Sequence, residues 1–382
     1  PDTLQSLVEK SLVRHSGDRF WMLETIREYA AERLEESPDG GDVRRRHAEY
    51  FLVLADETDP GLGLESAESV ERVDHDLDNI RGALDHLEAS GDNERALRLA
   101  AAVCWFWSLQ GHLVEGEARL NRLIPLAAVP DPLRARALVG AADIAIDLGD
   151  HDAARARAHS ALDLYRSLED RRGVAYCLVV LGLVSAFERD WASGRDRLEE
   201  SARICREVGD RFLALQATRR LAWMYWELGD VEGARALVER NLIEARAVGD
   251  ENMEAQSLAT LAHYALDDGR VEDAVPLLRE AFGIHRGRSE VTHRYWGAVV
   301  LYRFARALAL RRRPAAAALL ACAEARLEET EGPVEAWLEE MLEETRAMIH
   351  TYVDADTASA AAEQGRTLSP DDAVALALRE LA

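Results

Sequence analysis

Several groups of side chains in this sequence have the residue types that chemistry requires, and the first group is acidic. It places three aspartates and a histidine in one short stretch: Asp74, His75, Asp76 and Asp78. Such side chains can bind a metal ion, but calcium and two-metal sites need oxygens that converge from several directions. The apolar pattern predicts a helix over 79–87, and carboxylates at a helix start interact favourably with its dipole. We therefore interpret the cluster as the start of that helix and expect no metal site.

Nucleotide and covalent chemistry have no recognisable motif in the sequence. A phosphate-binding loop needs glycines followed by a lysine, and the single lysine, Lys10, lies outside any glycine-rich segment. Gly61-Leu62-Gly63 is an isolated GxG that we interpret as a connector. No HExxH or GxSxG motif occurs, and the four cysteines form no CxxC pair, so we interpret them as small core residues in a reducing cytosol. We expect a chain that is no enzyme and has no cofactor of its own.

The third group combines aromatic and polar side chains, and its spacing follows an internal repeat. Gly149, Arg189, Gly229 and Gly269 occupy the same place in successive units of 40 residues. A fixed period of this length indicates one supersecondary unit that buries its apolar face against its neighbours. The sequence therefore predicts a solenoid, an architecture that mostly serves binding.

Each repeat is predicted to contain two helices joined by tight turns. Ala217, Leu221 and Met224 recur at steps of three and four, as on one face of a helix. Gly229 and Gly249 then end the two helices, because glycine adopts the left-handed conformation at a helix end. A small residue recurs five positions after the first turn, where it lets the second helix approach closely: Gly116, Ala154, Gly194, Ala234 and Ala274.

The unit resembles the tetratricopeptide repeat in the lengthened form found in bacterial regulators. In repeats of that type, residues thirteen, ten, six and three positions before the turn residue point into a concave groove. This frame selects candidates for binding a ligand or partner: Trp105, Asp143, Tyr176, Gln216, Arg219, Trp223, Trp226, Gln256 and His263. Rings supply contact area and polar groups supply orientation. Trp223 and Trp226 could instead pack between helices, and the sequence leaves both alternatives open.

Composition limits the partners. The net charge of -24, from 70 acidic and 46 basic residues, repels nucleic acid, so we expect no direct contact with it. No apolar run reaches the roughly 18 residues of a membrane span, and no signal peptide is visible, so we expect a cytoplasmic location. The chain begins at Pro1, from which we infer a piece of a longer protein.

The N-terminal segment differs from the repeats. Residues 4–13 are predicted to form a helix that runs into a strand, and residues 15–18 form a turn. A second strand over 19–23 and a helix over 24–36 follow. Helix, hairpin and helix are the elements of the back half of a winged helix.

Four segments together resemble a known class of proteins. They are LVEKSLV with RFWMLETIREYAAERL (7–13 and 19–34), RRRHAEYFLVLAD (44–56), DLDNIRGAL (76–84) and the tail AAEQGRTLS (361–369). The first three look like the region that follows the nucleotide-binding domain in bacterial STAND signal-transduction ATPases, and the tail resembles the end of the repeat region in the same class. That class includes antibiotic-regulator-like proteins and large LuxR-type transcriptional regulators. The resemblance implies an upstream domain that holds ATP or ADP with magnesium and is itself a partner of this chain.

We accordingly predict an all-α fold, a tetratricopeptide-like α-solenoid with one β-hairpin near its N-terminus. The predicted divisions are the C-terminal part of a winged helix (1–37), a helical connector (43–90), the repeat array (91–352) and a C-terminal linker with a capping helix (353–382). The resemblance implies a sensor arm that binds a small molecule, peptide or protein in its groove. Two alternatives remain: a constitutive scaffold for a fixed protein partner, and an enzyme with a site hidden in the groove.

Overall fold

A computed structural model describes residues 2–17, 19–59, 67–286, 290–328 and 336–382. The predicted connector Gly61-Leu62-Gly63 lies outside these ranges. The described residues are almost wholly helical, as the sequence predicts. Within them no helix is both long enough and apolar enough to cross a membrane.

The N-terminal segment contains the predicted hairpin between two helices. Its elements are α1 (Asp2–Glu9), β1 (Arg14–Ser16), β2 (Arg19–Trp21) and α2 (Glu24–Glu36). The strands are antiparallel, with Arg14 opposite Trp21. The first strand begins at Arg14, later than the pattern over 4–13 predicts, because Ser11 adopts a left-handed φ of 56° that separates helix from strand.

The next two helices are α3 (Gly40–Thr58) and α4 (Ala67–Ala89). They pack on each other and share one apolar core with the first repeats. The helix predicted over 79–87 is therefore longer than expected, and the acidic cluster at 74–78 lies in its middle instead of at its start. Among the described residues, no group of three or more His, Cys, Asp or Glu side chains could hold a metal ion.

Helical hairpins make up the rest of the array. Their first helices, here named the inner helices, are α5 (Asn93–Gln110), α7 (Asp131–Asp147), α9 (Arg171–Phe187), α11 (Arg211–Glu227), α13 (Glu251–Asp267) and α15 (Glu290–Leu310). Their second helices are α6 (Leu113–Leu126), α8 (His151–Ser167), α10 (Trp191–Val208), α12 (Val231–Val248), α14 (Val271–His285) and α16 (Ala315–Glu328).

The turns explain why the helices stop and restart where they do. Gly149, Arg189, Gly229 and Gly269 all have positive φ, between 59° and 84°, as the repeat predicts. An aspartate then caps each helix from α8 to α13 by accepting a hydrogen bond from the backbone N–H three residues on: Asp150, Asp170, Asp190, Asp210, Asp230 and Asp250. Each cap satisfies one of the N–H groups that a helix start leaves without a partner.

The recurring small residues lie at the contact between the two helices of a hairpin. Ala154, Ala234 and Ala274 are fully buried. A Cβ added to Gly194 would lie 3.3 Å from the Gly182 carbonyl oxygen on α9, the other helix of its hairpin, and 2.8 Å from the Met224 Sδ on α11 in the next hairpin. The predicted close approach of the two helices is therefore present.

Three further helices complete the chain, namely α17 (Ala336–His350), α18 (Ala355–Arg366) and α19 (Pro370–Leu381). Helix α18 packs on α16, and α19 packs on α15 and α16. Helix α17 lies outside this order, against α15, and its Glu340 pairs with Arg189 in the turn between α9 and α10. The last helices share the apolar core of α13 to α16, so they close the end of the array.

Candidate binding groove on the inner helices

The inner helices enclose a cavity of about 400 Å³. Helices α5 and α15 contact each other, so the array turns far enough to bring its first and last hairpins together. Side chains from α5, α7, α9, α11 and α15, and from the start of α13, line the space. This volume falls in the range typical of small-ligand pockets.

Six of the candidate residues line this one cavity: Trp105, Asp143, Tyr176, Gln216, Arg219 and Gln256. They come from five different inner helices, so no single repeat could form the site. Gln256 is buried, whereas the other five are half-buried. The frame taken from the repeat thus selects six side chains that lie far apart in the sequence and line the same cavity.

Trp223, Trp226 and His263 do not line the cavity. Trp223 packs against Trp191 with ring centroids 5.8 Å apart, and its Nε1 donates to the Glu227 Oε1 at 3.0 Å. Trp226 stacks on Tyr264 at 4.2 Å with the rings nearly parallel. His263 is 8% exposed beside these rings.

The reason is the path of the cavity across the helices. It touches the C-terminal part of α5 but only the N-terminal part of α11 and α13, so it crosses the inner helices diagonally. The three residues lie in the C-terminal halves of α11 and α13, beyond this path. A frame derived from one repeat cannot include the superhelical turn that accumulates over several repeats.

The sequence reasoning missed other lining residues, namely Arg136, Asp147, Phe212, Arg220 and Trp296. Arg136 lies thirteen positions before Gly149, so the same frame finds it when it is applied to that unit in full. Trp296 lies on α15, whose hairpin turn around Arg311 to Pro314 departs from the repeat, and the frame gives no clear register there.

Hydrogen bonds hold the polar lining in place. The Tyr176 hydroxyl donates to the Asp143 Oδ2 at 2.7 Å, and the Arg220 Nη1 donates to the Gln216 Oε1 at 2.9 Å. Arg136 pairs with Asp59 and donates to a backbone carbonyl of α5. Ordered side chains of this kind lose little conformational freedom when a ligand binds.

The Cys104 thiol, which also lines the cavity, is a poor nucleophile. Its burial raises its pKa to about 12, so it stays protonated at neutral pH.

Taken together, the lining of the cavity offers aromatic faces and fixed groups of both charge signs. These groups suit a ligand that carries both charges.

The fold defines the class of protein, an α-solenoid of tetratricopeptide-like repeats. No family model matches the chain. A protein of Mycobacterium tuberculosis that is provisionally named an HTH-type transcriptional regulator is 27% identical over 298 residues, which is 73% of this chain. The chain spans about a third of the length of the curated relatives it matches.

Two solved structures have the same fold. The Rap conjugation gene regulator of plasmid pLS20, in complex with the Phr* peptide, is 11% identical, with a TM-score of 0.52 over 82% of this chain and 95% of that chain. A Rap protein complexed with Competence and Sporulation Factor is 12% identical, with a TM-score of 0.51 over 85% of this chain and 99% of that chain. At these identities the similarity concerns the fold.

Proposed function

We propose that this chain is the sensor and interaction arm of a STAND ATPase that regulates transcription or signalling. The observation that carries the proposal is the cavity on the inner helices, which Trp105, Tyr176 and Arg219 line together although they come from separate repeats. The ligand is a short peptide or a molecule of similar size with both charge signs. Its amine would meet the carboxylates of the lining, and its carboxylate would meet the arginines.

Three further observations support this proposal. The segments at 7–13, 19–34, 44–56 and 76–84 resemble the region after the nucleotide-binding domain of STAND proteins. The Mycobacterium tuberculosis relative carries the name of a transcriptional regulator. The Rap structure with a TM-score of 0.52 holds a peptide, which favours a peptide over a large protein partner.

The proposed mechanism follows from the number of helices that a ligand would touch. A ligand can shift a conformational equilibrium only by binding one state more tightly than another. A molecule that contacts α5, α11 and α15 together favours the superhelical pitch in which these helices converge. The change in superhelical pitch would be transmitted to an upstream domain that holds ATP or ADP with magnesium. It would shift that domain from a closed to an open, oligomerising state.

The upstream domain is itself a proposed partner. The N-terminal segment, which we propose is the end of a winged helix, exposes a run of large apolar side chains: Phe20, Trp21, Met22 and Leu23. Isolated apolar residues on a surface are normal, but a contiguous run marks an interaction site. We propose that the arm acts in the cytoplasm and touches neither nucleic acid nor membrane.

The test is a thermal-shift survey of the purified chain with a library of synthetic tri- to hexapeptides. A ligand at a hundred times its Kd stabilises a folded protein by about 2.7 kcal/mol. We expect a hit whose Kd weakens at least tenfold in Trp105→Ala, because that ring lines the cavity. The matched control is Trp226→Ala, which removes a tryptophan outside the cavity and should lower stability without changing the Kd.

Other outcomes would favour the alternatives. If no peptide binds and only a folded protein partner does, with unchanged affinity in Trp105→Ala, the chain is a constitutive scaffold. We also propose that the chain performs no covalent step. Magnesium-dependent ATP hydrolysis that is lost on mutation of a residue in this chain would contradict that view.

A further inference from the structure

Arg303, near the middle of α15, is a buried arginine that the groove cavity does not use. It is 5% exposed. Its Nε and Nη1 have no hydrogen-bond partner among the residues that the structure describes. A buried, charged donor without an acceptor destabilises a fold, and natural proteins rarely keep one without a reason.

The neighbouring carboxylates are engaged by a different arginine. Asp267 on α13 accepts a hydrogen bond from the Arg306 Nη2 at 2.8 Å, and Glu344 on α17 pairs with the Arg306 Nη1 at 3.3 Å. His263 lies close to Asp267, with 3.4 Å between Nε2 and Oδ2. Arg303 therefore adds a positive charge to a cluster whose negative charges already have a partner.

Three tyrosines, Tyr264, Tyr295 and Tyr302, lie close enough to Arg303 to interact with it electrostatically. Burial lowers the pKa of Arg303 to about 10, whereas these tyrosines and Asp267 act in the opposite direction, and the group remains charged at neutral pH. A tyrosine hydroxyl can donate to the same acceptor as a guanidinium, so these surroundings favour a guest that is rich in acceptors.

We propose that Arg303 is the centre of an oxyanion-binding site at the junction of α13, α15 and α17, which takes a carboxylate or a phosphate group. A guanidinium is planar and recognises both groups through paired N–H donors. Arg306 engages both carboxylates of the cluster, and although Asp267 also attracts Arg303 electrostatically, the Nε and Nη1 of Arg303 stay without an acceptor in the described part of the chain. The site is separate from the groove cavity and does not depend on the proposed function.

The position of α17 explains how an anion would enter. Its Leu338, Leu342, Thr345 and Ile349 are buried, but several of its polar contacts with the array are ion pairs in which at least one side chain is well exposed, such as Arg346–Glu324. Such pairs contribute little each. Local opening of this helix costs less than global unfolding and would expose Arg303.

The test measures the melting temperature of the chain while sodium chloride is replaced stepwise by sodium acetate or sodium phosphate at constant pH and ionic strength. We expect a saturable rise for the wild type with at least one oxyanion. Acetate distinguishes carboxylate recognition from phosphate recognition. A response to phosphate that increases without saturating is the general salt effect on burial and would not count as binding.

Arg303→Met should remove the saturable response and raise the melting temperature in chloride, because an apolar chain of similar length replaces a buried charge two of whose donor atoms lack acceptors among the described residues. Arg211→Met is the matched control, since Arg211 is exposed on α11 and pairs with Glu244. It should keep the wild-type response. If Arg303→Met does not fold, Arg303→Lys should bind the oxyanion more weakly, because an ammonium group lacks the paired donors.

The proposal is wrong if the wild type shows no saturable response to either anion. It is also wrong if Arg303→Met, or Arg303→Lys where only that variant folds, retains the wild-type response.

Discussion

The side chain of His263 links the stability of the array to pH. It is 8% exposed, and its pKa is well below the ordinary 6.5 because burial, and then the charges of Arg303 and Arg306, disfavour the protonated form. Asp267 on the same helix does not reverse this effect, since Arg306 already engages its carboxylate. The imidazole is thus neutral in the fold but titrates normally in the unfolded chain.

The sign of the pH effect follows from proton binding. Below pH 6.5 the unfolded chain binds a proton at His263 that the folded chain does not, so stability falls as the pH falls. Between pH 7 and pH 5 the loss from this residue is at most about 2 kcal/mol, the limit for an imidazole that stays neutral in the fold throughout. Urea unfolding at the two pH values should show that loss in the wild type and not in His263→Gln.

A comparison of the two proteins is needed because Asp267 acts in the opposite direction at lower pH. Burial raises its pKa, so it contributes stability that is lost as the pH rises through the raised value. Subtracting the His263→Gln curve from the wild-type curve removes this contribution. Identical pH dependence in the two proteins would contradict the assignment to His263.

At the scale of the element, the repeat allows the same turn position to be compared between units. Glu169 occupies the place that Gly209 and Gly249 hold in later units, and all three have positive φ. A residue with a Cβ is strained in this conformation by about 1 to 2 kcal/mol. Glycine removes the strain but gains entropy in the unfolded chain, which offsets part of the benefit.

We therefore expect Glu169→Gly to raise the free energy of unfolding by about 0.5 kcal/mol. The matched control is Gly249→Ala, which should lower it by about 1 kcal/mol. An added Cβ at Gly249 meets no atom within 4 Å, so only the backbone is tested. Urea titrations of both variants provide the measurement, and a destabilised Glu169→Gly would show that its side chain has a role beyond the turn.

The same elements show what the sequence could and could not predict. The 40-residue period predicted the turns at Gly149 and Gly229 and the close helix contact at Ala234, since each depends on residues within one hairpin. The position of α17 was not predictable, because the contact between Arg189 and Glu340 joins residues that lie far apart in sequence and has no local signal.

The candidate site residues show the same difference between what one hairpin determines and what the whole array determines. Gln216 and Arg219 line the cavity, whereas Trp223 and Trp226 on the same helix do not, although one rule selected all four. The rule describes the direction of a side chain within its hairpin. Which part of each helix borders the cavity depends on the superhelical rotation that accumulates from α5 to α15. A single repeat does not encode that rotation.

At the scale of the whole molecule, the array and the N-terminal segment differ in the interactions that stabilise them. Helices α3 to α19 bury apolar residues in clusters that run from one end to the other. In α2 no residue is buried, and within the described part of residues 2–36 only Val13 is. The segment is attached mainly through surface ion pairs such as Arg44–Glu35, which add little stability.

Removing residues 1–36 should therefore change the melting temperature by no more than about 2 °C, because a segment that buries so little area contributes little free energy. The matched control removes residues 355–382, whose Ala358, Ala373 and Val374 are buried against the array. That deletion should lower the melting temperature clearly, since it exposes the core of the last hairpins.

Hydrogen exchange on the intact chain gives an independent measurement: amides in 2–36 should exchange much faster than those in 174–280. Equal protection of the two regions would mean that the N-terminal segment folds as part of the array, and the conclusion that it is held mainly by surface contacts would fail.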